Sequence, residues 1–121
     1  MGLWTRYLRP LDVGEALEVL RRSPGPARVV AGGTDLLLDL QQGRHGPVHT
    51  LVDISRIPEL REIRVGPDAI VVGAAAPLRD IIEHPTLVAE APALVEACRL
   101  IGGPQVRSVA TLGGNVAHAL P

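Results

Sequence analysis

The sequence predicts an α+β (α/β) fold in two parts, a small βαβ unit followed by a second, mixed α+β part. Three observations predict it. A β-branched run at Ala27–Ala31 leads straight into Gly32-Gly33-Thr34-Asp35, then an apolar helical stripe from Leu36, then a second apolar run at Thr50–Ile54. After Ser55-Arg56-Ile57-Pro58 the pattern changes, and two short apolar runs flank Gly66-Pro67-Asp68 as the arms of a hairpin do. Proline-led helical stretches and a second Gly-Gly pair fill the remainder. The junction near residues 55–60 divides the chain into residues 1–56 and residues 57–121.

Each element has a local reason. Trp4 to Leu8 reads as a short extended opening segment. Asp12 is a helix N-cap with Glu15 as its capping-box partner, and Ala16, Leu17, Val19 and Leu20 supply the stripe until Ser23-Pro24-Gly25-Pro26 stops the helix. Asp35 is expected as N-cap of the second helix, which carries Leu36, Leu37, Leu38 and Leu40. The strand at Thr50–Ile54 is parallel to the first if that helix crosses over between them. In the hairpin, Ile63–Val65 pairs with Ala69–Val72, and the second arm is read as running on through Ala75. Pro77 starts a helix over Leu78–Glu83, which Pro85 ends. A longer helix begins about Pro92 with Leu94, Val95, Ala97 and Cys98 on its buried side, and Gly102-Gly103-Pro104 terminates it. Val106–Leu112 reads as a polar–apolar segment and Gly113-Gly114-Asn115 as a tight turn. Val116, Ala117 and Leu120 remain to be buried beyond that turn, so the sequence is expected to be cut short of a complete domain.

Composition excludes several function classes. Apolar residues make up 46% of the 121, but Trp4 and Tyr7 are the only aromatics, which leaves little for base stacking. The net charge is −1 with no basic stripe, so no nucleic acid is expected as partner. All 12 basic residues are Arg, which removes Schiff-base and P-loop lysine chemistry. Cys98 alone builds no disulfide, zinc site or iron–sulfur cluster. No apolar run approaches the length of a membrane span and Met1–Pro10 lacks a signal-peptide core, so a cytoplasmic protein is the expectation.

Two loops carry the candidate chemistry. In Ala31-Gly32-Gly33-Thr34-Asp35-Leu36, bare backbone at a helix N-terminus offers unpaired amides to an anion such as a pyrophosphate. An ordinary strand-to-helix turn is the plainer alternative. Thr111-Leu112-Gly113-Gly114-Asn115 offers a hydroxyl, a carboxamide and several backbone donors, and its plainer alternative is a hairpin turn.

The two loops together resemble a known family. Ala31-Gly32-Gly33-Thr34-Asp35-Leu36-Leu37 and, about 75 residues later, Gln105-Val106-Arg107-Ser108-Val109-Ala110-Thr111-Leu112-Gly113-Gly114-Asn115 are similar to the FAD-binding (medium) subunits of molybdenum hydroxylases, which include carbon monoxide dehydrogenase and the flavin domains of xanthine dehydrogenase and aldehyde oxidase. Tyr7-Leu8-Arg9-Pro10 with Glu15-Ala16-Leu17, Leu51-Val52-Asp53-Ile54, and Val72-Gly73-Ala74-Ala75 fit the same pattern in register. The resemblance implies a PCMH-type FAD-binding fold, with FAD between residues 1–56 and the incomplete second subdomain, 57–121. It implies cofactor contacts at Ala31, Gly32, Gly33, Thr34, Asp35 and Leu36, and at Thr111, Gly113, Gly114 and Asn115. Each such backbone contact contributes about 0.3–1 kcal/mol, so two facing loops are needed. The implied function is an FAD-dependent oxidoreductase subunit that passes electrons from an iron–sulfur partner through FAD to NAD, oxygen or a quinone. The implied partners are a molybdopterin-binding large subunit and a 2Fe-2S small subunit. In the family, an acidic cofactor contact follows an Ala-Ser-Pro-like segment whose start corresponds to Ala119-Leu120-Pro121. The alternative is a non-catalytic fragment that folds or forms a homo-oligomer through exposed apolar surface without flavin.

Other residues are read more plainly. Cys98 is a buried small hydrophobe. His45 and His49 lie in a solvated loop, without a third metal ligand. His84 suits a helix end, and His118 is either near the cofactor or at a surface. Arg107 is either near a phosphate or in a surface ion pair. No triad surrounds Ser108, and no metal site or catalytic residue is assigned. Gly33→Val is expected to abolish FAD binding while the protein stays folded, because a branched side chain blocks backbone approach; flavin fluorescence titration with circular dichroism checks both halves of that expectation.

Overall fold

The structure, a computed structural model, describes residues 2–32, 34–43 and 46–118, with Thr34 and Asp35 described in their backbone only. The first 53 residues form a three-stranded parallel sheet, with strands β1 (Trp4–Leu8), β2 (Ala27–Val30) and β3 (Val48–Asp53) in the order β1-β3-β2. Helix α1 (Val13–Arg22) joins β1 to β2, and α2 (Thr34–Gln41) joins β2 to β3. The last of these three strands therefore sits in the centre. Its side chains are buried or nearly so along the whole run, with Leu51 and Val52 fully enclosed, which is why it reads as continuously apolar. Leu40 and Leu36 of α2 pack with Val30, Val48 and Leu51 on one side, while Ala16, Val52 and Ile57 form the cluster on the other.

Three local readings are refined here. Trp4–Leu8 is a full member of the sheet, paired in register Trp4–Val48 to Leu8–Val52; three of its five residues are exposed, so no apolar alternation marks it. The Glu15 amide donates to Asp12 Oδ1 at 2.7 Å, while Glu15 Oε2 accepts from the Leu11 amide at 3.0 Å, one residue earlier than the ideal box. α2 begins at Thr34, so Asp35 lies inside its first turn and is not the cap.

The second half opens with a one-turn helix, α3 (Pro58–Arg61), and the hairpin β4 (Ile63–Val65) and β5 (Ile70–Val72). β5 stops at Val72 and does not continue to Ala75, although the Gly73 and Ala75 amides still donate to Glu62 and Leu60 carbonyls. Five short helices follow: α4 (Leu78–Glu83), α5 (Pro85–Glu90), α6 (Pro92–Arg99), α7 (Pro104–Val109) and α8 (Leu112–His118). Pro85 ends α4 and also begins α5, and Pro104 likewise begins α7 in what had read as a polar–apolar segment. Leu78, Ile81, Leu87, Val95 and Cys98 make the core of this half. Ala97, expected in that core, is exposed. Burial pushes the Cys98 thiol pKa up, as its reading as a small hydrophobe requires.

Asp53 pins β1 to β3 at the carboxyl ends of the strands. Tyr7 Oη donates to Asp53 Oδ2 at 2.5 Å, the Ser55 amide donates to Oδ1 at 2.9 Å, and Arg9 Nε lies 3.5 Å from Oδ2. Burial alone raises the Asp53 pKa, but hydrogen bonds from Ser55 and Tyr7 and the charge of Arg9 outweigh it and hold the carboxyl below its ordinary value. A lowered folded-state pKa stabilises the fold above the unfolded value, near 4, and that contribution is lost as pH falls through the folded value. Asp53→Asn is therefore expected to flatten the acid limb of thermal stability; a variant whose Tm falls as steeply as the parent between neutral pH and about pH 3 counts against this anchor.

Candidate functional site

The two glycine loops meet. β2 delivers Ala31 and Gly32 to the top of the sheet, and α2 starts two residues later. A Cβ at Gly32 would sit 2.5 Å from the Val109 carbonyl oxygen and 3.0 Å from the Ala110 Cα, so only glycine lets the first loop lie against the second. The second loop is fastened from behind by a ladder to Ala74–Leu78. The Leu78 amide donates to Ala110 O, Leu112 to Ala76 O and Gly113 to Ala74 O, at 2.9, 3.2 and 2.8 Å. Thr111, 3% exposed, lies within this ladder opposite Pro77.

Thr111-Leu112-Gly113-Gly114-Asn115 is not a tight turn or a hairpin but the start of α8. Thr111 organises it: Oγ1 accepts from the Gly114 amide at 3.1 Å, and the Thr111 carbonyl accepts from Asn115 Nδ2 at 3.0 Å. Gly-Gly disfavours helix, which hid the element from sequence reasoning. The Thr-x-x-Gly cap was the signal available.

A cleft of about 450 Å³ opens where the loops meet. Ala31, Gly32 and Leu36 line it from the first loop, and Thr111, Gly114 and Asn115 from the second. Gly113 does not line it; its bare face is turned to Ala74, whose Cβ and carbonyl oxygen would both be 2.7 Å from an added Cβ. Thr34 and Asp35 are the first two residues of α2, and Gly33 lies outside the described residues. Arg28 and Asp39 also line the cleft and were missed. For Asp39 the signal was its spacing, three residues beyond Leu36 on one helix face. His118 also lines the cleft.

Other candidates resolve into structural roles. Arg107 Nη1 donates to the Arg99 and Gly102 carbonyls at 3.0 and 3.1 Å, so it satisfies the end of α6; it does not line the cleft, and among the described residues it makes no ion pair. Ser108 Oγ donates to the Pro104 carbonyl. His49 Nδ1 is 2.8 Å from Thr50 Oγ1, and His45 lies outside the described residues. Among the described residues no three His, Cys, Asp or Glu gather to hold a metal ion, and no helix is long and apolar enough to cross a membrane.

A family model described as the FAD binding domain in molybdopterin dehydrogenase matches residues 3–121. The chain belongs to this family. Among relatives of this FAD-binding domain is the carbon monoxide dehydrogenase medium chain of Hydrogenophaga pseudoflava, 43% identical over 115 residues, covering 95% of this chain and 40% of the relative. The xanthine dehydrogenase FAD-binding subunit of Escherichia coli O157:H7 is 36% identical over 113 residues, covering 93% and 38%. In solved structures, carbon monoxide dehydrogenase from Hydrogenophaga pseudoflava superposes with a TM-score of 0.87 at 41% identity, over 94% of this chain and 39% of the other. Quinoline 2-oxidoreductase from Pseudomonas putida 86 gives 0.86 at 32%, over 96% and 40%. The chain spans about two fifths of the length of these relatives.

The contact between loops is testable by stability. Gly32→Ala and Gly113→Ala each force a methyl into backbone and are expected to destabilise by about 1–3 kcal/mol, whereas Gly46→Ala, with open space around it, stays near the parent. Thermal melts of the three variants check this, and a parental Tm for Gly32→Ala removes the close approach.

Proposed function

We propose that this chain is the FAD-holding part of a subunit in a molybdenum-containing hydroxylase or dehydrogenase complex. The observation that carries the reading is the single cleft shared by the two glycine loops. Its size suits part of a dinucleotide. Its donors suit a diphosphate: the Thr111 hydroxyl accepts from Gly114 and keeps its own proton to give, and Asn115 has one amide hydrogen beyond the one given to Thr111. Backbone amides at the start of α2, which carry the positive end of its dipole, complete the set. FAD, when bound, supplies the electron-transfer chemistry, and this chain's residues bind and orient it.

On this reading Ala31, Gly32, Gly33, Thr34, Asp35 and Leu36 face Thr111, Gly113, Gly114 and Asn115 across the cofactor. Gly113 acts indirectly, by letting the second loop seat on Ala74. Residues 1–56 and 57–121 serve as two subdomains with the cofactor between them. The partners are a molybdopterin-binding large subunit and a 2Fe-2S small subunit, the latter handing electrons to the flavin and the flavin to an external acceptor. Side chains such as Leu100 and Val116, 85% and 69% exposed, favour an assembled state.

FAD titrated into the purified 121-residue protein is expected to quench flavin fluorescence and to add about 2.7 kcal/mol of stability at a hundredfold excess over Kd. A colourless protein whose melting point ignores FAD would instead favour the fragment that folds or self-associates without flavin.

A further inference from the structure

Gly73 makes the closest backbone approach of any described glycine, yet it belongs to neither glycine loop. A Cβ there would sit 2.2 Å from the Leu60 carbonyl oxygen, 2.5 Å from its carbon and 3.0 Å from the Glu62 carbonyl oxygen. From Gly73 to Leu78 the chain runs as the middle one of three adjoining segments. On one edge the Gly73 and Ala75 amides donate to the Glu62 and Leu60 carbonyls at 2.7 and 2.8 Å. On the other edge the Ala74 and Ala76 carbonyls accept from the Gly113 and Leu112 amides at 2.8 and 3.2 Å, and the Leu78 amide donates to Ala110 O at 2.9 Å. Odd and even residues thus serve opposite edges, as in a strand held on both sides.

The place of the second glycine loop therefore depends on Gly73. Unstrained contact between heavy atoms begins at about 3.5 Å, so a methyl at Gly73 must drive two backbones about 1 Å apart. The two sides do not yield equally. Leu60 packs on the buried Ala16–Val52–Ile57 cluster, and a packed interior absorbs little displacement. The second loop borders the open cleft. The shift passes through three hydrogen bonds to Ala110–Gly113, and it exceeds the roughly 0.5 Å within which a binding site must hold its groups. We propose, resting on the FAD reading above, that Gly73 is a positioning residue for cofactor binding. It lines no part of the cleft, and by letting the middle segment lie against Leu60 it sets where Thr111–Asn115 meets the cofactor.

Flavin fluorescence titration of the 121-residue protein tests this. Val95→Ala serves as the control, because it opens a cavity in the core of the same half and lies in none of the three segments. Gly73→Ala is expected to fold with a lowered Tm and to weaken FAD about tenfold or more. Val95→Ala is expected to lower Tm as well and to keep FAD affinity within about twofold of the parent. A folded Gly73→Ala variant with parental affinity overturns the proposal, as does an equal loss of affinity in both variants, which makes the effect one of stability alone. If Gly73→Ala does not fold, hydrogen exchange in the parent decides. Bound FAD is then expected to slow the Gly73 and Ala75 amides at least about threefold more than the Gly66 and Ala91 amides, which are bonded within the β4–β5 turn and at the end of α5. Equal slowing at all four overturns the proposal. Absence of FAD binding to the parent overturns the cofactor reading and this inference together, whereas FAD binding that is indifferent to Gly73 overturns only the latter.

Discussion

The architecture depends on a missing side chain at Gly32. There the backbone that leaves the parallel sheet touches the backbone that leaves α7, and a single methyl group would overlap the Val109 carbonyl. The ladder between Ala74–Leu78 and Ala110–Gly113 holds the second loop at the height where this contact occurs. The cleft exists because these constraints coincide. Packed interiors do not stretch to absorb an extra carbon, so the position of one loop dictates that of the other.

Much of the first half was legible because its signals are local and mutually consistent. Asp12 and Glu15 mark α1, Pro24 and Pro26 close it, and the β-branched run before Gly32 leads to a helix as the spacing requires. β1 escaped as a sheet member because an edge strand with outward-facing Arg and Thr has no core pattern to display. In the second half, prolines both ended and restarted helices, and a reader who takes proline only as a stop misses α5 and α7. α8 is formed against propensity, by Thr111 and by the seat that Ala74 provides for Gly113. The cap at Thr111 is local to α8, whereas Ala74 lies outside any window of sequence around it.

The candidate site was legible in its glycine loops and not in its charges. Glycine pairs announce themselves, whereas Arg28 and Asp39 resemble any solvated strand and helix residues until the topology turns them toward one space. The glycine loops bring main-chain groups and no lysine to the cleft, in keeping with a chain that has none.

Trp4, the only tryptophan, packs beside the Val30–Leu40–Leu51 cluster and 6.3 Å from the ring of Tyr7, the only tyrosine. Every strong near-ultraviolet chromophore of the polypeptide is thus confined to one strand. Intrinsic emission reports whether β1 is docked on β3 and is blind to the helices after residue 77. Melting curves followed by fluorescence watch the first half alone and those followed by far-ultraviolet dichroism the whole backbone, so any gap between them measures how tightly the Gly32–Val109 contact couples the two halves.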